Sequence, residues 1–320
     1  MKTKISLFLF ALAISGCQST SVPDWYLGEM KHDPQYIYAV GEGFGLSSAK
    51  NSALTQVNEQ LWTQVNSSFM QSVEHRTHND TEFNRETIKN RMIVESARLV
   101  LSGAEFLNTD KNERTYYAQV RVKRDAIKQQ LNNELDQIEQ NAIRLINEYQ
   151  YQDKLTWWLA NQDYSVTLAE YYLRLAILDS MGQKRSFSSS VNKVTRTVSQ
   201  VKSSLLIYIK ADAKDVKSAD LVVQSFNPEE IKTTQRWSNA VTHQLVMDSD
   251  YRRNRVGDAY ITTKLTQITL KNRTGKTLAS NEIISTANSM SNFKLSHEGA
   301  ERHFGQQVED MGIWSSLGFK

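Results

Sequence analysis

Residues 36–61, YIYAVGEGFGLSSAKNSALTQVNEQL, decide the fold. Ile37, Ala39 and Gly41 share one face of a short strand by period-two alternation. Gly41, Gly43 and Gly45 follow at every second position and allow a sharp turn, because glycine tolerates positive φ. Ser47 or Ser48 can cap the helix that comes next. Leu46, Ala49, Ala53, Val57, Leu61 and Val65 recur at three- and four-residue steps and form one apolar stripe. The alanines on that stripe let the helix lie close against a sheet. Strand, glycine turn and helix start also describe a phosphate-binding loop. The spacing here is G-x-G-x-G, with no G-K-[ST] after it, so a tight strand-to-helix connection is the reading kept.

Working outward, Asp24, Trp25 and Tyr26 stand upstream. The two aromatics either dock on the first domain or sit at lipid headgroups; docking is expected. Downstream, residues 91–107 alternate Met92, Val94, Ser96, Arg98 and Val100 against Ile93, Glu95, Ala97, Leu99 and Leu101, which reads as a strand. Tyr116, Ala118, Val120 and Val122 alternate with Tyr117, Gln119, Arg121 and Lys123, a half-buried strand. It pairs antiparallel with its predecessor across residues 110–113. The aromatic entry at 24–26, the A-V-G-E-G text with its alanine-rich helix, and the closing RTYYAQVRV of residues 114–122 together resemble the LPP20 family of small bacterial envelope lipoproteins. The resemblance covers residues 22 to 128. It implies an envelope lipoprotein and includes flagellum-associated members.

The N-terminus points the same way. Lys2 and Lys4 precede an apolar run over residues 5–14, broken only by Ser6. That run falls short of the ~20 residues a bilayer span needs and suits a secretory signal peptide. It ends Ile14-Ser15-Gly16-Cys17, a bacterial lipobox, and Cys17 is the one cysteine in 320 residues. In that pattern the cysteine is diacylated on sulfur and becomes the first mature residue. Acyl chains contribute ~0.8 kcal/mol per buried CH₂, so two or three hold a protein stably. Gln18 rather than Asp follows the cysteine, which by the enteric sorting rule directs the product to the outer membrane. Removing Lys2 and Lys4 from 38 basic side chains leaves 36 against 35 acids, a formal +1. That balance gives nucleic-acid binding no support.

After residues 17–24, a lipidated tether, an α+β domain is expected over 25–124. It would be a small antiparallel sheet with a long helix. From Ile127 through Leu131, Leu135, Ile138, Ala142, Leu145 and Tyr149 the spacing becomes heptad-like. With the aromatic stretch holding Trp157, Trp158, Tyr164, Tyr171 and Tyr172 it predicts an intramolecular helical hairpin over 125–182. The aromatics are expected in the core. Residues 183–202 read as a linker and 203–320 as a second α+β domain. There, 204–209 and 219–226 read as strands, Asn227-Pro228 opens a helix carrying Ile231, Trp237, Val241 and Leu245, and 248–255 reads as a solvated loop between helix and strand, preferred over a charge cluster that grips an anionic glycan or lipid. Residues 258–271 and 277–289 form a hairpin, and 297–311 a closing helix.

Chemistry is thin. His75 and His78 make an H-x-x-H, but no third ligand stands at a telling distance, and the remaining histidines are scattered. No G-x-S-x-G, Walker motif or zinc spacing occurs. No catalytic, cofactor-binding or metal residue is therefore expected, and no cofactor. The expectation is a non-enzymatic scaffold, lipid-anchored through Cys17 to the outer membrane and facing the periplasm. Its partners would be membrane lipid and another envelope protein, not nucleic acid. A flagellar accessory role and activation of a cell-wall synthase are the specific alternatives, with an envelope hydrolase behind them.

Overall fold

The computed structural model describes residues 21–28, 33–65, 90–96 and 99–319. It is α+β: a three-stranded antiparallel sheet with a long helix, a run of helices, then a five-stranded mixed sheet with helices. The chain forms two compact units, residues 1–140 with 165–188, and 141–164 with 189–320.

In the first unit a short helix, α1 (Asp24–Leu27), precedes β1 (Tyr36–Gly43). β1 pairs antiparallel with β3 (Tyr116–Lys123), and β3 with β2 (Ala104–Lys111). Helix α2 (Leu46–Thr63) packs on the sheet. Ile37, Ala39, Ala118, Val120 and Val122 meet Ala49, Ala53, Val57 and Leu61 in the core, as the two periodicities require. The glycines serve a different purpose from the one expected. Among the positive-φ residues none is Gly41, Gly43 or Gly45. A Cβ on Gly41 would instead lie 2.1 Å from Ala53 N and 2.6 Å from Ala49 O. The strand backbone touches the helix backbone there. Gly45, not a serine, is the N-cap residue, in extended conformation.

The strand expected over 91–107 is a correction. Residues 90–96 are helical, and the strand begins at Ala104, after the left-handed Gly103. Met92 and Ser96, four apart, are the buried positions, while Ile93 and Val94 are exposed. Helical spacing thus won over an alternation that fitted both. The hairpin turn at 112–115 is held by Asn112, whose side-chain oxygen accepts from Arg114 N and Thr115 N. His75 and His78 lie outside the described residues.

Helix α3 (Arg124–Tyr149) follows. Ile127, Leu131 and Leu135 are fully buried in the first unit, where α5 (Tyr164–Ser180) returns along them. Arg174 Nε lies 2.6 Å from Glu134 Oε2, and the Tyr171 hydroxyl donates to Glu139 at 3.1 Å. Arg185 pairs with Asp136 and Glu139. Tyr171 and Tyr172 are core residues, as expected of the aromatics. Within the second unit α4 (Lys154–Asn161) buries Trp157 and Trp158, and the Trp157 indole donates to Leu145 O at 2.9 Å. Residues 189–202 of the stretch read as a linker lie in helix α6 (Ser189–Ser204).

The second sheet has the order β5-β4-β6-β7-β8. Its strands are β4 (Leu206–Lys210), β5 (Lys232–Thr234), β6 (His243–Val256), β7 (Ala259–Asn272) and β8 (Thr277–Ser289). β4 runs parallel to β5 and β6; the rest is an antiparallel meander. The chain then closes with α8 (Phe293–Met311) and α9 (Ile313–Ser316). Three sequence readings are corrected here. Residues 219–226 are helical: α7 (Val216–Ser225) buries Ala219, Val222 and, just past its end, Phe226 at three- and four-residue steps. A parallel β4–β5 pair needs such a crossover. Asn227-Pro228 opens no helix; it sits in the turn from α7 to β5, and Leu245 belongs to β6. Residues 248–255 are strand, because β6 runs on through the charged text paired with β7.

Asp153 caps α4, accepting from Leu155 N at 3.0 Å and Thr156 N at 3.3 Å. His243 Nε2 lies 3.1 Å from the same oxygen. Burial pushes this carboxyl up, but the His243 contact and the two amides outweigh it, and the net shift is downward. Asp153→Ala should cost about 1 kcal/mol at neutral pH. A depressed carboxylate stabilises fully above about pH 4 and loses that contribution as pH falls through its folded value. The gap between wild type and variant should therefore narrow in acid, read by hydrogen exchange at the α4 amides.

Candidate functional site

Cys17, Ile14, Ser15 and Gly16 lie outside the described residues. The chain enters the described part at Ser21, and the aromatics that follow dock on the first unit. The Tyr26 ring meets Tyr117 edge-on at 4.9 Å, and Trp25 meets Tyr26 at 6.2 Å. Burial, then the neighbouring Glu42 carboxylate, raises the Tyr26 hydroxyl pKa. Val22, Pro23 and Trp25 face Asp110 and Lys111 across a polar cleft. The segment nearest the tether is thus fixed to β3 and to the end of β2.

The strongest charge constellation is in the second unit, and sequence reading missed it. Lys264 on β7 and Asp215 just before α7 are both fully buried. Lys264 Nζ lies 3.2 Å from Asp215 Oδ1 and 3.0 Å from both oxygens of Glu301 on α8. Ser218 on α7 accepts from Lys264 and donates to Glu301; the Tyr251 hydroxyl donates to the other Glu301 oxygen. Among the described residues neither Asp215 oxygen accepts a hydrogen bond beyond this ion pair. The ammonium also lies 5.2 Å from the Tyr251 ring and 5.1 Å from that of Phe304. His297 stacks on Tyr251 at 4.4 Å, with Nε2 3.9 Å from Glu301. Burial pushes Glu301 up, yet the hydrogen bonds from Ser218, Tyr251 and Lys264 together hold it below the usual carboxylate range. Burial and that carboxylate push the Tyr251 hydroxyl strongly up.

A Ser–Lys pair beside a carboxylate has the composition of a nucleophile and base. Here Ser218 and Lys264 are both fully buried, so a substrate has no approach to the hydroxyl. What the cluster does is tie α7, β6, β7 and α8 together through one cation. Its signal in sequence was slight: Glu301 adjoins the Ala300, Phe304, Val308 stripe, but Lys264 reads as an ordinary solvent-facing strand lysine. Among the described residues no group of three or more His, Cys, Asp and Glu is placed to hold a metal. His243 faces Asp153, and His303 Nδ1 lies at the Thr286 backbone. Among the described residues no helix is long and apolar enough to cross a membrane.

No protein-family model matches the sequence, and no curated protein matches it. Solved structures do resemble it. The secreted protein HP1454 of Helicobacter pylori is 13% identical, with 89% of this chain and 99% of that one covered, at a TM-score of 0.46. A minor lipoprotein of Acinetobacter baumannii is 7% identical over 35% of this chain and 93% of its own, at 0.29. A lipoprotein from Caulobacter crescentus is 10% identical over 36% and 93%, at 0.26. The chain is thus structurally similar to bacterial lipoproteins and to a secreted bacterial protein; at these values the likeness says nothing of what it binds.

Proposed function

We propose that this chain is a scaffold held by lipid to the periplasmic face of the bacterial outer membrane, where its folded units bind another envelope protein. The observation that carries the proposal is the lipobox: Ile14-Ser15-Gly16-Cys17 closes an apolar leader, and the sole cysteine stands at the acylation position. Seven residues separate Cys17 from Trp25. Fully extended they reach ~25 Å, which keeps the docked Trp25–Tyr26 entry near the bilayer. The LPP20-like text of residues 22 to 128 favours a flagellar accessory role over activation of a cell-wall synthase. Ser218 and Lys264 are fully buried, so this pair offers a substrate no nucleophile.

Cys17→Ser tests the anchor. The wild type should fractionate with the outer membrane. The variant should vanish from that fraction and be recovered as a precursor that keeps its leader. Unchanged fractionation of a processed Cys17→Ser chain overturns the proposal.

A further inference from the structure

The charged text of residues 252–255 is not a loop but the far end of a long hairpin, and that end has a composition of its own. β6 and β7 stay paired to Val256 and Ala259, with Gly257 in left-handed conformation at the turn. Tyr260 pairs with Ser289 on β8, which brings Met290 and the start of α8 to the same end of the sheet. Arg253 stands over the Phe293 ring at 5.8 Å and Arg255 over Tyr260 at 5.0 Å, and those two rings meet edge-on at 5.0 Å. Both arginines are exposed, and Arg255 also donates to Gly257 O at 3.2 Å and lies 3.8 Å from Asp258. Arg252 projects from the opposite face of β6, and Lys294 opens α8.

Over residues 252–260 and 288–295 the cations are Arg252, Arg253, Arg255 and Lys294, and the one acid is Asp258. This local excess belongs to a chain that is nearly neutral once its leader is gone. Between the charges stand apolar side chains with no cover: Val256 is 59% exposed, Met290 71% and Leu295 44%. A protein partner or a glycan could use the charge, but scattered single apolar groups among arginines fit best where phosphates lie above hydrocarbon. The cations would meet lipid phosphates by charge, with Val256, Met290 and Leu295 exposed beside them.

We infer that this hairpin tip is a second membrane contact, one that binds the surface of an anionic phospholipid bilayer. It does not depend on acylation of Cys17, so the two fail separately.

The test uses the chain from Gln18 onward, which carries no acyl group and holds every residue the structure describes. It is sedimented with phosphatidylcholine vesicles, with or without about a quarter phosphatidylglycerol, at physiological ionic strength. Wild type should pellet only with the anionic vesicles. Replacing Arg252, Arg253 and Arg255 together by glutamine should weaken partitioning on the order of 100-fold. Replacing all three by lysine, which keeps the charge, should retain most of it, and this guards against a folding defect as the cause. No pelleting with anionic vesicles, equal pelleting with neutral ones, or a glutamine variant that binds as the wild type does overturns the inference.

Discussion

Lys264→Met should destabilise the second unit by about 3–5 kcal/mol, far more than the side chain's apolar packing could suggest. Its ammonium lies within 3.2 Å of two buried carboxylates, Asp215 and Glu301. Methionine fills the space but leaves both carboxylates in a low-dielectric interior. Asp215 then keeps its desolvation cost without a cation and Glu301 keeps only the Ser218 and Tyr251 hydroxyls, or a carboxylate takes up a proton. Adding Glu301→Gln to Lys264→Met removes one of the stranded charges. The pair should cost clearly less than the sum of the two single changes, because one deletion relieves what the other creates. Hydrogen exchange at the β7 amides is the suitable readout, since a chain of two units need not unfold in one step. The wild-type network should also be acid-sensitive. Glu301 is held below its ordinary range, so its contribution is complete above about pH 4.3 and is lost as pH falls through the lower folded value. In Lys264→Met that dependence should flatten or reverse, because the carboxyl is then better off protonated.

Gly41→Val is the second large effect expected, about 3 kcal/mol or more in the first unit. A Cβ there would fall 2.1 Å from Ala53 N and 2.7 Å from Ser52 C, all of it helix backbone. No rotamer change relieves such a clash; α2 must move off the sheet. Gly45→Ala is the control, since an added Cβ meets nothing within 4 Å. Losing a glycine N-cap should cost under about 1 kcal/mol. Exchange at the β1 and β3 amides separates the two: fast in Gly41→Val, nearly unchanged in Gly45→Ala.

The two glycines also show what sequence could and could not say. The stripe of Ala49, Ala53, Val57 and Leu61 has one period and one apolar face, and it folded as it read. The glycine triplet was seen but given the wrong cause, since glycine serves both positive φ and close approach, and spacing does not separate them. The strands expected over 91–107 and 219–226 differ from the helices found at 90–96 and 216–225 for a related reason. Short apolar runs satisfy both periodicities, and the choice fell to contacts with distant chain: a sheet that needed a crossover at 216–225, and the left-handed Gly103 that sets where β2 begins. The charge cluster lay furthest from view. Lys264, Asp215 and Glu301 are separated by dozens of residues, and each looks solvated by itself. Only the pairing of β7 with β6, under α7 and α8, makes them neighbours. The hairpin of β7 and β8, by contrast, was plain, because its threonine- and isoleucine-rich strands flank a glycine turn at Asn272–Gly275.

Acylation of one sulfur atom, that of Cys17, is the covalent anchor proposed for this folded chain. Mass spectrometry of the N-terminal peptide from protein purified out of native membranes tests it most directly. The chain should begin at Cys17 and carry the added mass of two or three acyl chains. A mature chain that begins elsewhere, or an unmodified Cys17 thiol, contradicts it.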